Sequence, residues 1–567
     1  MADAMAARGP DAAGLYMQDR MALGHRRLRI IDLSDASRQP MVDSELGLSI
    51  AFNGAIYNYR ELREALEAKG YRFFSDGDTE VLIKAYHAWG EGFVEKLNGM
   101  FALAIAERES GRMVLARDRL GIKPLYYTRD DRRLRFASSL PALLAAGEVD
   151  TGIDPVALNH YMSFHSVVPA PRTILKGVRK LEPATVMVLE PSGEIRTRRY
   201  WEVAFGARAD ERGLSERDWE ERVLDTLRQA VRRRLVADVP VGALLSGGLD
   251  SSLIVGLLAE CGVRPKTFSI GFESVGGEAG DEFRYSDLIA ERFQTDHTRM
   301  EIASDRILPA LDRCVAAMSE PMMSHDCVAF FLLSEEVSRH VRVVQSGQGA
   351  DEVFGGYHWY PPLLDSTDPV ADYSRVFFDR DHAGMRRALG EAYRNGDAGR
   401  AFVSEHFAQA GAEAAVDKAL RLDQTVMLVD DPVKRVDNMT MAFGLEARVP
   451  FLDHELVELA ARIPAAAKVR DGGKTVLKNA ARQVIPADVI DRPKGYFPVP
   501  ALKYLRGPFL DRTVDLLRSG TARQRGLFQQ DFVDEVIADP DAHITPLRGA
   551  TLWQMAVLEY WLQTHGI

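Results

Sequence analysis

Cysteine is almost absent from this chain, with three in 567 residues, at Cys261, Cys314 and Cys327. They cannot all pair and their spacing fits no zinc-ligand pattern, which excludes a disulfide framework or a cysteine metal site and points to a reducing compartment. Long apolar runs are missing as well. No stretch approaches the roughly 20 apolar residues of a membrane span, and no basic segment leading into an apolar one opens the chain, so it reads as cytoplasmic with no membrane partner. An excess of positive charge is the third absence: the formal net charge of −11 argues against nucleic acid as a partner. The one basic triplet, Arg232-Arg-Arg234, reads as the solvated end of a helix. What is present is 46% hydrophobic and 27% charged residues, ordinary for a globular chain, over a length that favours two or more domains.

The most informative segment is Val241-Gly-Ala-Leu-Leu-Ser-Gly-Gly-Leu-Asp-Ser-Ser252, an apolar strand running into Ser246-Gly247-Gly248 and then a helix start. Glycines let the backbone approach a phosphate, and the free N–H groups and dipole of a helix N-terminus favour an anion. The spacing differs from the G-x-x-x-x-G-K-[ST] loop of phosphoryl transfer, so cleavage between the α- and β-phosphates of ATP, an adenylation, is the leading reading. Ser-Gly-Gly alone is also an ordinary turn. It has a companion, however, in Val341-Arg-Val-Val-Gln-Ser-Gly-Gln-Gly-Ala-Asp-Glu-Val-Phe-Gly-Gly-Tyr357, a second strand ending in a glycine-rich, acid-bearing loop. One nucleotide held from two sides, beyond the carboxyl ends of parallel strands, accounts for both.

Short strand-like runs such as Leu46 to Phe52 and Arg112 to Arg117, with one helical stretch from about Tyr59 to Lys69, give the first third an α+β, strand-rich layered pattern. From Ser215 onward, amphipathic helices such as Trp219 to Arg234 alternate with short buried strands, which is an α/β doubly wound pattern. The polar segment Gly206 to Gly213 between them reads as a linker. The expected domains are therefore residues 1–205 and 214–567.

With these residues in view, the chain resembles the glutamine-hydrolysing asparagine synthetase family over nearly its whole length. The carrying motifs are Arg8-Gly-Pro-Asp11, Gly24-His-Arg-Arg-Leu28, Asn53-Gly-Ala-Ile-Tyr-Asn58, Asp78-Thr-Glu80, Gly99-Met-Phe101 and Arg117-Asp-Arg-Leu-Gly-Ile-Lys-Pro-Leu-Tyr126. Later come Asp437-Asn-Met439, Glu446-Ala-Arg-Val-Pro-Phe-Leu-Asp453, Lys474 and Arg492-Pro-Lys494. The resemblance implies a class II amidotransferase-type sandwich followed by an ATP-pyrophosphatase domain, with glutamine, ammonia and a small carboxylate acceptor as partners and a homodimer as a possible assembly. It implies Mg²⁺-pyrophosphate binding by Asp250 and Asp351 and phosphate contacts from Ser246, Gly247, Gly248, Ser251 and Ser346. Adenine contacts fall to the backbone near Leu244, Ile270 and Gly347, and charge neutralisation to Lys474. Arg27 would hold the carboxylate of glutamine, with Asn53 and Asp78 on its polar groups.

The chain departs from the family pattern in three places. Class II amidotransferases attack glutamine with an N-terminal cysteine thiol whose own α-amino group is the base. Here Met1-Ala-Asp-Ala-Met-Ala-Ala-Arg8 leads straight into Arg-Gly-Pro-Asp, so the expectation is a start set too late or a lost segment, and ammonium rather than glutamine as the nitrogen source of this polypeptide. Ala55 stands where the family usually has Glu, a tolerable loss. Gln348 stands where asparagine synthetases have Glu beside the carboxylate being activated, and Gln carries no charge and takes no proton. Together with Ser319 to Val328, Tyr357 to Pro362, Met162 to Pro169 and Gly271 to Gly277, it resembles the N-acetylglutaminylglutamine amidotransferase branch, whose neutral product serves as an osmoprotectant. The alternatives are an asparagine synthetase acting on aspartate, a β-lactam-synthetase-like cyclase and a non-catalytic ATP-binding relic.

Overall fold

A computed structural model of the chain describes residues 1–273, 280–492 and 505–567. The remainder of Gly271 to Gly277 beyond Glu273, and Pro493 and Lys494 of the Arg-Pro-Lys motif, lie outside the described residues.

Strand Gly99–Glu107 shows why the first half is layered. Its side chains alternate between two cores: Phe101, Leu103 and Ile105 meet the apolar faces of helices Tyr59–Glu67 and Asp78–Trp89, whereas Ala102, Ala104 and Ala106 meet Leu23, Leu125 and Leu181. The strand sits inside a six-stranded antiparallel sheet ordered Ile195–Arg199, Thr185–Leu189, Met113–Arg117, Gly99–Glu107, Leu48–Ile56, Met41–Asp43. A hairpin of Ala12–Gln18 and Met21–Arg27 and a three-stranded sheet of Leu134–Ala137, Tyr126–Arg129 and Arg179–Lys180 complete the half.

The second half is built on five parallel strands, β1 (Val241–Leu244), β2 (Lys266–Phe272), β3 (Asp296–Ile302), β4 (Val343–Gln345) and β5 (Glu446–Arg448), in the order β3-β2-β1-β4-β5. Ala243 and Val343 point into one core and Leu244 and Val344 into the other, so both faces of the sheet are covered, as parallel sheets require. The chain proceeds from β1 outward through β2 and β3, then returns to β4 on the other side. The strand order thus reverses between β1 and β4, which opens a crevice at their carboxyl ends.

One expectation about a polar segment, the solvated basic triplet, is corrected. Only Arg232 of the basic triplet is exposed; Arg234 is 2% exposed because the buried carboxylate of Asp453 draws it in at 2.9 Å, and Arg233 reaches the same carboxylate at 3.2 Å. The segment Gly206 to Gly213, read above as a linker, packs along the second half. Phe205 and Gly206 donate backbone hydrogen bonds to Gly411 and Ala461, and buried Glu211 accepts from Arg462 at 3.0 Å.

Candidate active site

The crevice between β1 and β4 collects most of the predicted nucleotide residues. After β1 the chain turns through Gly247, whose φ of 75° and contact with Ser286 N leave no room for a side chain, and enters helix Leu249–Glu260 with Gly248 as N-cap. Ser246 Oγ and Ser251 Oγ lie 3.0 Å apart across this turn. After β4, Ser346 and Gly347 lie against it: a Cβ on Gly347 would come 3.0 Å from Asp250 Cβ and from Ser251 N. Beside the turn opens a cleft of about 310 Å³ lined by Leu245, Ser246, Ser269, Ile270, Phe272 and Phe283. Ile270 lines the cleft, and the side chain of Leu244 packs into the core behind it.

Lys474 reaches this crevice from the far end of the chain. Asp471, Gly472, Gly473 and Lys474 all take left-handed φ, between 51° and 89°, a run that costs conformational energy and is held by the packing of Gly473 against the carbonyl of Gly355. The run aims the ammonium between two carboxylates, at 2.7 and 2.8 Å from the oxygens of Asp250 and 2.9 Å from Asp351. Burial disfavours the charge on Lys474, but Asp250 and Asp351 outweigh it and raise the pKa above the usual lysine value. Gly356 is part of the same construction, since a Cβ there would stand 2.0 Å from Asp351 Oδ1 and 2.3 Å from Lys474 Cε. Asp250 and Asp351 are the carboxylates available to an oxygen-liganded cation; among the described residues no group of three His, Cys, Asp or Glu makes a site from protein alone.

Next to Asp351 stands a second cluster of buried and half-buried polar side chains that the sequence did not resolve. Glu352 is buried, and burial, with the neighbouring Asp351 charge, pushes its pKa up to about 7. It accepts a 2.6 Å hydrogen bond from Tyr357, whose ring stacks on Trp359 at 4.2 Å and 14°. Trp359 and Tyr360 are core residues, each donating to the buried carboxylate of Asp423, as Tyr373 does. The aromatic segment is therefore mostly core, with Tyr357 and His358 as its outward members. Asp423 begins two π-helical turns, Asp423–Met427 and Val429–Val433, an irregularity frequent at functional sites. Asp431 on the second turn and Arg435 just after it join this cluster, with Arg435 3.1 Å from Asp431 and 4.0 Å from Asp326. The signal available in the sequence was the dense charge run Asp430-Asp-Pro-Val-Lys-Arg435 set between apolar stretches. Gln348 is half-buried at the start of the helix that carries Asp351.

The predicted glutamine-side residues are brought together only in part. Arg27 is buried and donates to the carbonyls of Asp32 and Ser34, the latter at 2.7 Å. Asp78 accepts from the Ile56 N–H at 3.0 Å, and burial pushes its pKa up to about 7. Asn53 instead opens, with His25, Ser138 and Arg8, into a cleft of about 660 Å³.

An antiparallel layered half is thus joined to a parallel sheet whose two strand-end loops meet at a lysine set between two carboxylates. Comparison with known proteins gives the family. The asparagine synthase family matches residues 222–563 and the glutamine amidotransferase domain matches residues 1–201. The chain is 31% identical over 589 residues to asparagine synthetase [glutamine-hydrolyzing] 1 of Bacillus subtilis (strain 168), covering 98% of this chain and 91% of that protein. It is 33% identical over 552 residues to a putative asparagine synthetase [glutamine-hydrolyzing] of Mycobacterium tuberculosis, covering 88% of this chain and 83% of that one. The chain belongs to the glutamine-hydrolysing asparagine synthetase family, whose members are ATP-using ligases.

Proposed function

We propose that this enzyme adenylates the C-terminal carboxyl of a blocked dipeptide, N-acetylglutaminylglutamine, and displaces the adenylate with ammonia to form the neutral dipeptide amide. The observation that carries this reading is the polar and aromatic cluster beside Asp351. An uncharged Gln348 stands three positions before Asp351, and the cluster holds the Tyr357 ring, stacked on Trp359, together with Arg435 beside the carboxylates of Asp431 and Asp326. Such a set of groups suits a long, amide-rich acceptor better than a small zwitterion. A neutral product can accumulate in the cytoplasm without adding ionic strength that screens protein charges, which fits osmoprotection.

ATP would lie across the carboxyl ends of β1 and β4, with its phosphates over the N-terminus of helix Leu249–Glu260 and contacts from Ser246, Gly247, Gly248, Ser251 and Ser346. Its adenine would face Ile270 and the backbone of Leu244 and Gly347. Asp250 and Asp351 fit Mg²⁺, because their oxygens already converge on one cationic group, the Lys474 ammonium, and phosphate oxygens would complete a hard-cation shell. The ion, when bound, neutralises charge on the departing pyrophosphate. Lys474, held protonated by its two partners, supplies fixed positive charge at the same place. An acceptor carboxylate oxygen bonds to the α-phosphorus as the bridge to the β-phosphate breaks and pyrophosphate leaves with the electron pair. Ammonia, drawn from glutamine on the amidotransferase side or supplied as ammonium, then bonds to the acyl carbon, AMP leaves, and the nitrogen gives up a proton.

Aspartate is the second reading, favoured by the names of the relatives, which are asparagine synthetases. The test uses ammonium salts, so that it does not depend on glutamine hydrolysis. Pyrophosphate and AMP formation are followed with each acceptor, and the amide is identified by mass. Product from the dipeptide at a much higher kcat/KM than from aspartate is expected, because an acceptor that leaves buried polar groups of the site unpaired is strongly rejected. A higher kcat/KM for aspartate would sink the dipeptide assignment.

A further inference from the structure

The turn after β1 is walled by a second helix. Helix Phe283–Arg292 packs its first residues against Gly247, where a Cβ would stand 2.6 Å from Ser286 N and 2.8 Å from Tyr285 Cβ. Two acids precede that helix, Asp281 and Glu282, and both line the cleft of about 310 Å³ beside the turn, as Ser246 does. A nucleotide in this cleft brings its phosphates toward a rim that already carries negative charge, and like charges that close oppose binding unless cations offset them. Lys474 is engaged by Asp250 and Asp351. The acids at the head of helix Phe283–Arg292 need a cation of their own.

Arg492 is that cation. Its Nη2 lies 3.0 Å from Glu282 Oε2, and its guanidinium lies over the Tyr285 ring, 4.4 Å from the centroid. The Arg492 and Glu282 side chains are 9% and 21% exposed, so solvent and salt screen the pair only in part. The same Nη2 is 3.6 Å from where a Cβ on Gly248 would stand, and Gly248 is the N-cap of helix Leu249–Glu260. The guanidinium is thus held by a carboxylate and a ring at the end of that helix which favours an anion. Among the described residues its side chain makes one hydrogen bond, to Glu282. Arginine presents a rigid fork of donors that matches phosphate oxygens, so the rest of the fork can serve a phosphate without releasing Glu282. In the sequence Arg492 was a motif marker without a role.

We infer that Arg492 is a phosphate-binding residue of the adenylation site, donating from its guanidinium to the pyrophosphate portion of ATP at the N-terminus of helix Leu249–Glu260. The inference rests on the placement of ATP proposed above. It gives the site a second fixed cation besides Lys474 where negative charge builds as pyrophosphate departs. Arg492 makes and breaks no covalent bond and moves no proton.

The experiment titrates Arg492→Ala, Arg492→Lys and the unaltered chain by calorimetry with α,β-methylene-ATP, inorganic pyrophosphate and AMP, each with Mg²⁺. Loss of one charge-assisted hydrogen-bonding group weakens the first two ligands about 10- to 100-fold in Arg492→Ala. AMP, which lacks the pyrophosphate portion, binds as before and shows that the variant is folded. Arg492→Lys, which keeps the charge without the fork, lies between. Unchanged affinity for α,β-methylene-ATP and pyrophosphate in Arg492→Ala, or an equal loss for all three ligands, overturns the inference; if Lys474→Met still depresses pyrophosphate release, the placement of ATP stands without it. Native pyrophosphate release from Lys474→Met together with native affinities in Arg492→Ala overturns the placement, and the inference with it.

Discussion

Gly356 leaves no room for a methyl group, and the atoms that would be struck are the two that the candidate active site most needs, Asp351 Oδ1 and Lys474 Cε. Gly356→Ala should therefore disturb the geometry of the ammonium between its carboxylates while leaving the cores untouched. Lys474→Met removes the charge outright and leaves Asp250 and Asp351 facing each other without it. An electrostatic group that acts as pyrophosphate departs typically contributes on the order of 100- to 1000-fold in rate. Acceptor-dependent pyrophosphate release should fall by about that factor in Lys474→Met and by a smaller factor in Gly356→Ala; near-native release from both would move the ATP site elsewhere. Asp250 and Lys474 are 224 positions apart in the chain, so spacing could not have joined them. Family resemblance supplied Lys474, and only the fold brings it to Asp250. The role of Gly356 was not legible, because the close approach that demands glycine arises only when the two strand-end loops and the left-handed run at Asp471 to Lys474 meet.

At the level of elements, what read clearly was whatever depends on local order. A strand, a glycine turn and a helix in succession predict the loop after β1 without knowledge of neighbours, and the actual helix begins at Leu249. What did not read was burial. Tyr357 to Pro362 and Arg232 to Arg234 look alike in sequence whether they face solvent or a buried carboxylate, and in both cases the hidden partner, Asp423 or Asp453, lies far along the chain. The π-helical turns are likewise invisible to a 3.6-residue periodicity. Asp423 gives this level a pH test. Burial raises its pKa from 3.8 to about 6, against the hydrogen bonds from Tyr360, Tyr373 and Trp359. For a carboxyl group whose folded pKa is raised, the favourable contribution is complete below the unfolded pKa near 3.8 and is lost as pH rises through 6. Asn imitates the protonated form and does not titrate. The stability of Asp423→Asn relative to the unaltered chain should therefore improve by roughly 2–3 kcal/mol between pH 4 and pH 7, measured by calorimetry across that range. A pH-independent difference would show that the three donors fully compensate the buried charge.

Across the whole molecule, the two halves are joined by cores and by buried charge. One core combines Phe101 and Leu103 with Leu253 and Val343, and another combines Tyr161 and Ile174 with Phe330 and Trp561. The seam carries ion pairs between motif residues that the sequence offered only as family markers: Arg8 lies 2.9 Å and Lys123 3.2 Å from Asp437, and Asp11 pairs with Arg342. Burial alone would raise the pKa of Asp437, but Arg8 and Lys123 overcome it and hold the carboxyl below its ordinary value. This contribution is present above the unfolded carboxylate pKa and is lost as pH falls through the lowered one. Asp437→Asn leaves Lys123, 2% exposed, without the carboxylate on the other side of the seam. Breaking a buried pair by removing one partner typically costs roughly 3–5 kcal/mol. Because the cores are shared, that cost should appear in both halves at once, as a single calorimetric transition shifted to lower temperature. Limited proteolysis should then open sites in residues 1–201 and 222–563 over the same temperature interval. Two separate transitions, with only one of them moved by Asp437→Asn, would show that the halves unfold independently and that the seam is a contact between autonomous domains.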